Sequence, residues 1–151
     1  MDNPVILIRP AVSFAFLKAF TLFLLTVVFV FLAYMLSPNF ILFGIVTAGM
    51  AWYRFLYIRT SEYLVTPEML RIQRGIFFKR VDFVELFRIK DYVVTQSLIL
   101  RLLGLMDVTL RTQDAENPII WLRGVPVSDL IETMRERVND ARLHNRIYEI
   151  N

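Results

Sequence analysis

From residue 19 to residue 53 the chain runs for 35 positions without one Asp, Glu, Lys, Arg or His. A helix that crosses a bilayer needs ~20 mainly apolar residues, so this stretch holds material for nearly two. Its middle reads Ser37-Pro38-Asn39, a helix-breaking proline among turn formers. The pattern predicts two helices, over residues 14–36 and 40–58, joined by a short turn. A soluble core helix would suit the second segment alone, but not two such segments back to back with an uncharged turn. A cleaved leader has an apolar core of ~7–15 residues, about half of what is present here. After Leu32-Ala33 the chain continues through Tyr34-Met35-Leu36 into the second apolar run, so the hairpin is expected to be retained.

Charge then suggests an orientation. Residues 1–60 carry Arg9, Lys18, Arg54 and Arg59 against Asp2, whereas residues 61–151 carry thirteen basic and thirteen acidic side chains. The whole net charge of +3 therefore flanks the apolar hairpin, and none of it lies at the turn. By the positive-inside rule both termini are expected in the cytoplasm, the chain passing twice through the inner membrane. Arg54 is near the end of the second span, where a long side chain can reach the headgroups, and Trp52, Tyr53 and Tyr57 cluster there as interfacial aromatics do. With no net basic charge beyond residue 60, nucleic acid is not an expected partner.

Composition excludes several chemistries. Hydrophobic residues make up 56% of the chain and charged residues 21%, against about 45–50% and about 25% in a soluble domain. Disorder is excluded. The chain has no cysteine, hence no disulfide and no thiolate metal site, and His144 is its single histidine. No nucleophile elbow, phosphate-binding glycine loop or paired-histidine zinc motif is present. Asp107, Asp114 and Glu116 lack the spacing of a calcium loop. No enzymatic activity, metal or cofactor is expected.

Beyond residue 60 the pattern changes to short β-rich runs. Glu62-Tyr63-Leu64-Val65-Thr66 stops at Pro67-Glu68, and residues 69–74 alternate with Leu70 and Ile72 on one face until Gly75. In residues 79–86 the apolar phase slips between Val81/Phe83 and Val84/Leu86, which predicts a bulge or bend. Residues 89–96 hold the strand formers Tyr92, Val93, Val94 and Thr95. Residues 106–112 alternate, with Met106, Val108 and Leu110 expected inward and Asp107, Thr109 and Arg111 outward. A polar turn over residues 114–118 leads into Ile119-Ile120-Trp121-Leu122, while residues 98–103, ahead of Gly104, fit a short helix or a buried loop. From Ser128, an N-cap candidate, Leu130, Ile131, Met134, Val138 and Ala141 recur at helical spacing opposite Glu132, Arg135, Glu136, Arg137 and Asp140. The class is α+β: a helical hairpin over residues 1–59, then antiparallel strands capped by an amphipathic helix over residues 60–151.

Residues 84–97, Val-Glu-Leu-Phe-Arg-Ile-Lys-Asp-Tyr-Val-Val-Thr-Gln-Ser, resemble the central signature of bacterial membrane-flanking pleckstrin-homology-like (PH-like) domains. Residues 102–112, Leu-Leu-Gly-Leu-Met-Asp-Val-Thr-Leu-Arg-Thr, are similar to the next block of that family, as are Tyr63-Leu64-Val65-Thr66 and Gly75. The resemblance covers about residues 60–140. It implies a bent antiparallel sheet or open barrel plugged by the C-terminal helix, and carries no catalytic motif. The roles suggested for the family are membrane-complex assembly and envelope stress.

The candidate lipid or leaflet contact is the basic hairpin of Arg71, Arg74, Lys79 and Arg80, with no acidic residue between Glu68 and Asp82. Gly44, Ala48 and Gly49 form a small-residue strip suited to helix packing. Arg88 and Asp91 are expected to form an ion pair or, failing that, to line a partner groove, Gly104 to take an unusual backbone angle, and Trp121 to lie in the core or an interface. His144 falls near a helix C-terminus. The function expected is a membrane-anchored, non-enzymatic interaction or assembly module that binds other membrane proteins or itself. The alternatives are a sensor of anionic lipid headgroups and an accessory subunit of a transporter or secretion complex.

Overall fold

A computed structural model of the protein describes residues 5–148, with side chains described through residue 143, so the His144 side chain lies outside the described residues. Two long helices, α1 (Val12–Met35) and α2 (Phe40–Thr60), pack side by side, and each is long and apolar enough to cross a membrane. Their interface is built from small and aromatic groups. Thr26 Oγ1 donates to Thr47 Oγ1 at 3.0 Å, Gly44 is buried against Val30 and Phe29, and the Phe29 and Phe43 rings stack. The outward faces, with Phe20, Phe31, Ile45 and Val46, are exposed.

Two antiparallel sheets follow, in the orders β1-β2-β3-β4 and β5-β6-β7, neither closed into a barrel. They comprise β1 (Ile6–Ile8), β2 (Glu62–Val65), β3 (Met69–Arg74) and β4 (Arg80–Glu85), then β5 (Ile89–Thr95), β6 (Leu105–Thr112) and β7 (Ile119–Pro126). The first strand lies ahead of the helical hairpin, a feature absent from the sequence reading. It pairs with β2 in the register Ile6↔Val65 and Ile8↔Tyr63, so the chain leaves the sheet, runs through both helices and returns beside the strand it left. The turn at residues 66–68 is therefore the connection between the second and third strands. The local signal for β1 is Val5-Ile6-Leu7-Ile8, an apolar run with three β-branched residues, closed by Pro10.

Between the sheets lies one core, including Leu70, Val84, Leu86, Ile89, Leu110, Ile120, Leu122 and Met134. Met106, Val108 and Leu110 are all buried, as their alternation predicts. Of the bulge or bend expected in residues 79–86, the bulge is not there: β3 and β4 pair in unbroken register from Met69↔Glu85 to Arg74↔Arg80. Val84 and Leu86 point into the core while exposed Phe83 lies under the Arg71 guanidinium on the outer face, so both faces of β4 are apolar and no phase slips. Register shifts occur instead between Ile89 and Asp91 and between Met106 and Val108.

A four-residue-periodic stripe of Leu130, Met134 and Val138 seats α4 (Leu130–Tyr148), which begins two residues after Ser128, on the core. Buried Arg137 donates to the Val65 carbonyl at 2.9 Å, and Arg142 donates to the Ile89 carbonyl, so the helix is bonded to a strand of each sheet. The Tyr92 hydroxyl, against this core, is buried with no hydrogen-bond partner among the described residues. Burial pushes its pKa up to about 12, against the opposing pull of Arg142 and Arg135. An unfolded tyrosine ionises near ~10, so between about pH 10 and 12 the folded state holds the extra proton and stability falls as pH rises. Tyr92→Phe is expected to leave stability at pH 7 unchanged or higher by up to ~1 kcal/mol, because it removes an unpaired buried hydroxyl. It should also flatten the alkaline decline, as measured by denaturation at pH 7 and pH 11. A loss above ~1 kcal/mol at pH 7 would contradict this account.

Candidate functional site

The chemistry-bearing residues gather where the helical hairpin meets the sheets. Phe14, in the first turn of α1, is 3% exposed and forms a small cluster with Leu100 and Leu105, bordered by Ala11, Leu17 and Ile58. Leu100 is the buried residue of α3 (Leu98–Leu102), a single turn capped by the Ser97 hydroxyl, which accepts from the Leu100 amide. The other α3 side chains Leu98, Ile99 and Leu102, with Leu103 just after, remain exposed. Opposite Phe14 stands Gly124, whose carbonyl accepts from the Ala11 amide at 2.9 Å and whose own amide donates to Asp107 Oδ1 at 2.7 Å. Asp107 thus serves the backbone of β7. Gly124 has φ +64°, and a Cβ there would lie 2.1 Å from Phe14 Cγ.

Beside this contact a cleft of about 390 Å³ opens between the hairpin and the sheets. Lys18, Arg54, Tyr57, Arg74, Trp121 and Arg123 line it, together with Tyr63. Trp121 is partly exposed, with the Arg123 guanidinium 5.5 Å from its ring and Arg74 donating to its carbonyl at 3.2 Å. Burial raises the Tyr63 pKa, an effect partly offset by Arg74 and Arg123.

The four residues of the basic hairpin are not one surface. Arg74 and Arg80 are cross-strand partners beside a second cleft that includes Tyr57 and Phe78, whereas Arg71 is on the opposite face of the sheet over Phe83. Arg80 is paired with Asp82 at 2.8 Å, and that carboxylate raises the pKa of its guanidinium. Lys79 is exposed in the turn after Phe77 and Phe78, which are 82% and 94% exposed. Gly75 starts this turn with φ +110°. Of the small-residue strip, Gly44 faces α1, Ala48 is half-buried, and Gly49 opens onto an apolar groove of about 770 Å³ that also reaches Arg54 and Tyr57. The expected Arg88–Asp91 ion pair is replaced by Arg88–Glu85 at 2.6 Å, one helical turn apart, while Asp91 accepts from the Tyr92 amide.

Lys18, Arg54, Arg123 and Gly124 are the site residues that the sequence reading did not assemble. They come from α1, α2 and β7, which are distant in sequence and meet only in the tertiary fold. A family model described as "Bacterial PH domain" matches residues 12–142. Nothing among the curated proteins or the solved structures matches the chain.

Proposed function

The chain belongs to the bacterial PH domain family, and from that membership we propose a non-catalytic interaction module fixed at the cytoplasmic face of the inner membrane, where it binds partner proteins or itself. PH-like domains are generally non-enzymatic. The observation that carries the membrane-anchored part is the pairing of β1 with β2 across both ends of the apolar hairpin. With strands on either side of the two helices held together, the sheets stay at one end of the hairpin, with no linker to let them drift away. The exposed apolar side chains Leu98, Ile99 and Leu102 support this reading, because α3 packs through Leu100 on the first turns of α1. Phe77 and Phe78 support it from the α2 side, where Phe78 shares a cleft with Tyr57.

For partner binding, β5 is the supporting element. It is seven residues long, pairs with β6 alone among the described residues, and leaves Val93 and Val94 exposed. An unpaired strand edge of that length can accept a strand from another chain, with main-chain hydrogen bonds supplying affinity. Crosslinking in membranes followed by purification in mild detergent is expected to return a homo-oligomer or a larger membrane complex. Val93→Lys with Val94→Lys should abolish the adduct while the protein still reaches the membrane, since charges on an edge block strand addition. A monodisperse monomer without crosslinked partners would overturn the reading.

A further inference from the structure

Four cationic side chains from four elements meet in the cleft at the base of the hairpin: Lys18 of α1, Arg54 of α2, Arg74 of β3 and Arg123 of β7. Among the described residues no aspartate or glutamate lines the cleft and none of the four cations makes an ion pair. The Asp107 carboxylate, whose field reaches Tyr63, is taken by the Gly124 amide. Aromatic faces and one carbonyl hold three of the cations instead. Lys18 Nζ lies 5.4 Å from the Phe14 ring centre, Arg123 lies over Trp121, and Arg74 donates to the Trp121 carbonyl. These contacts position positive charge without neutralising it, which leaves the cavity suited to an anion.

The depth of the cleft and its neighbour indicate which anion. Lys18 and Arg54 each lie six residues inside the domain-side end of their helix, about 9 Å along the axis. Beyond them the uncharged parts of the helices, residues 19–35 and 40–53, span about 26 Å and about 21 Å. A hydrocarbon layer is ~30 Å thick, so the backbone at Lys18 and Arg54 sits just inside it and their long side chains extend toward the domain-side end to reach headgroup level. The apolar groove over Leu22, Val46, Gly49, Met50 and Tyr53 shares Arg54 and Tyr57 with the cleft. A cationic pocket thus continues directly into an apolar channel along the helices.

We propose that cleft and groove together bind one anionic glycerophospholipid, its phosphate among Lys18, Arg54, Arg74 and Arg123 and an acyl chain over Gly49. The site rests on the membrane-anchored reading above and differs from the basic β3–β4 hairpin, sharing only Arg74 with it. A soluble phosphate ester would use the same cations but not the groove.

The full chain, extracted in mild detergent and delipidated, is offered phosphatidylglycerol, phosphatidylcholine or glycerol phosphate, with bound mass read by native mass spectrometry. One phosphatidylglycerol is expected to be retained, at least about tenfold more tightly than phosphatidylcholine. Lys18→Gln or Arg123→Gln should weaken retention about fivefold, and the two together about 25-fold, with unfolding temperature as the check on folding. Arg123 is exposed on β7, so its variant carries the test if Lys18→Gln unfolds. Gly49→Leu, which fills the groove, should weaken phosphatidylglycerol binding too. Equal retention of the two phospholipids would overturn the site, and glycerol phosphate competing at equal concentration would reassign it to a soluble ester. Carbonate-resistant membrane association tests the anchoring separately: its loss sinks the anchored reading, whereas a membrane-embedded protein without lipid preference sinks only this site.

Discussion

Gly124→Ala is expected to destabilise the protein by roughly 2–5 kcal/mol, a large effect for one added methyl group. Two costs combine. Gly124 has φ +64°, where an L-residue is strained by about 1–2 kcal/mol. The new Cβ would also lie 2.1 Å from Cγ and 2.4 Å from Cδ1 of Phe14, and overpacking of a tight contact costs roughly 1–3 kcal/mol. Phe14 cannot easily retreat, since its ring is buried in the cluster with Leu100 and Leu105, and the adjacent Ala11 amide is bonded to the Gly124 carbonyl. Phe14→Ala alone should cost roughly 3–5 kcal/mol as a buried aromatic truncation. The double variant discriminates, because without the ring Gly124→Ala retains only its backbone cost. The pair should therefore be less destabilised than the sum by about 1–3 kcal/mol. Thermal unfolding in detergent of the four proteins measures this. Strict additivity would show that the ring and the glycine do not form the clamp between α1 and β7.

That clamp also marks where sequence reasoning runs out. The helical hairpin is legible because 35 uncharged residues broken by Ser37-Pro38-Asn39 admit few alternatives, and the helices end within two residues of their expected bounds. The α4 stripe and the β6 alternation are legible for the same reason: one face of each element is buried, and periodicity reports it. Gly75 and Gly104 take the positive φ that their turn positions imply. Gly124, in contrast, lies beyond the run 119–122 that reads as strand, and its positive φ and the approach of Phe14, neither visible in the sequence, explain why a side chain is excluded there. Residues 81–86 mislead because periodicity cannot distinguish a bulge from a strand with apolar residues on both faces. The first strand is three residues long, and its partner lies more than fifty residues away, so no local pattern announces the pairing. The cleft poses a similar difficulty: positions 18, 54, 74 and 123 are far apart in sequence, on four elements that only the tertiary fold brings together.

The same closure sharpens an expectation about orientation. If the two helices cross a membrane, the strands before and after them must lie on one side, because Ile6 to Ile8 pair with Tyr63 to Val65. The basic residues Arg9, Lys18, Arg54 and Arg59 all belong to that end, and the turn between α1 and α2 carries none. By the positive-inside rule the sheet end is then expected in the cytoplasm and the turn outside. Helices of 24 and 21 residues span about 36 Å and about 32 Å, enough for a ~30 Å hydrocarbon layer with modest tilt. Because the chain has no cysteine, Asn39→Cys and Asn151→Cys each introduce a single reactive thiol. In intact cells an impermeant thiol reagent should label position 39 nearly completely and position 151 not at all, and position 151 should react only after permeabilisation. Charge sets the direction and strand pairing fixes the two ends together, so the two ideas fail separately. Labelling of position 151 but not 39 from outside would invert the orientation while leaving the hairpin intact. Labelling of both from outside would mean that the helices do not cross, and would remove the anchored reading altogether.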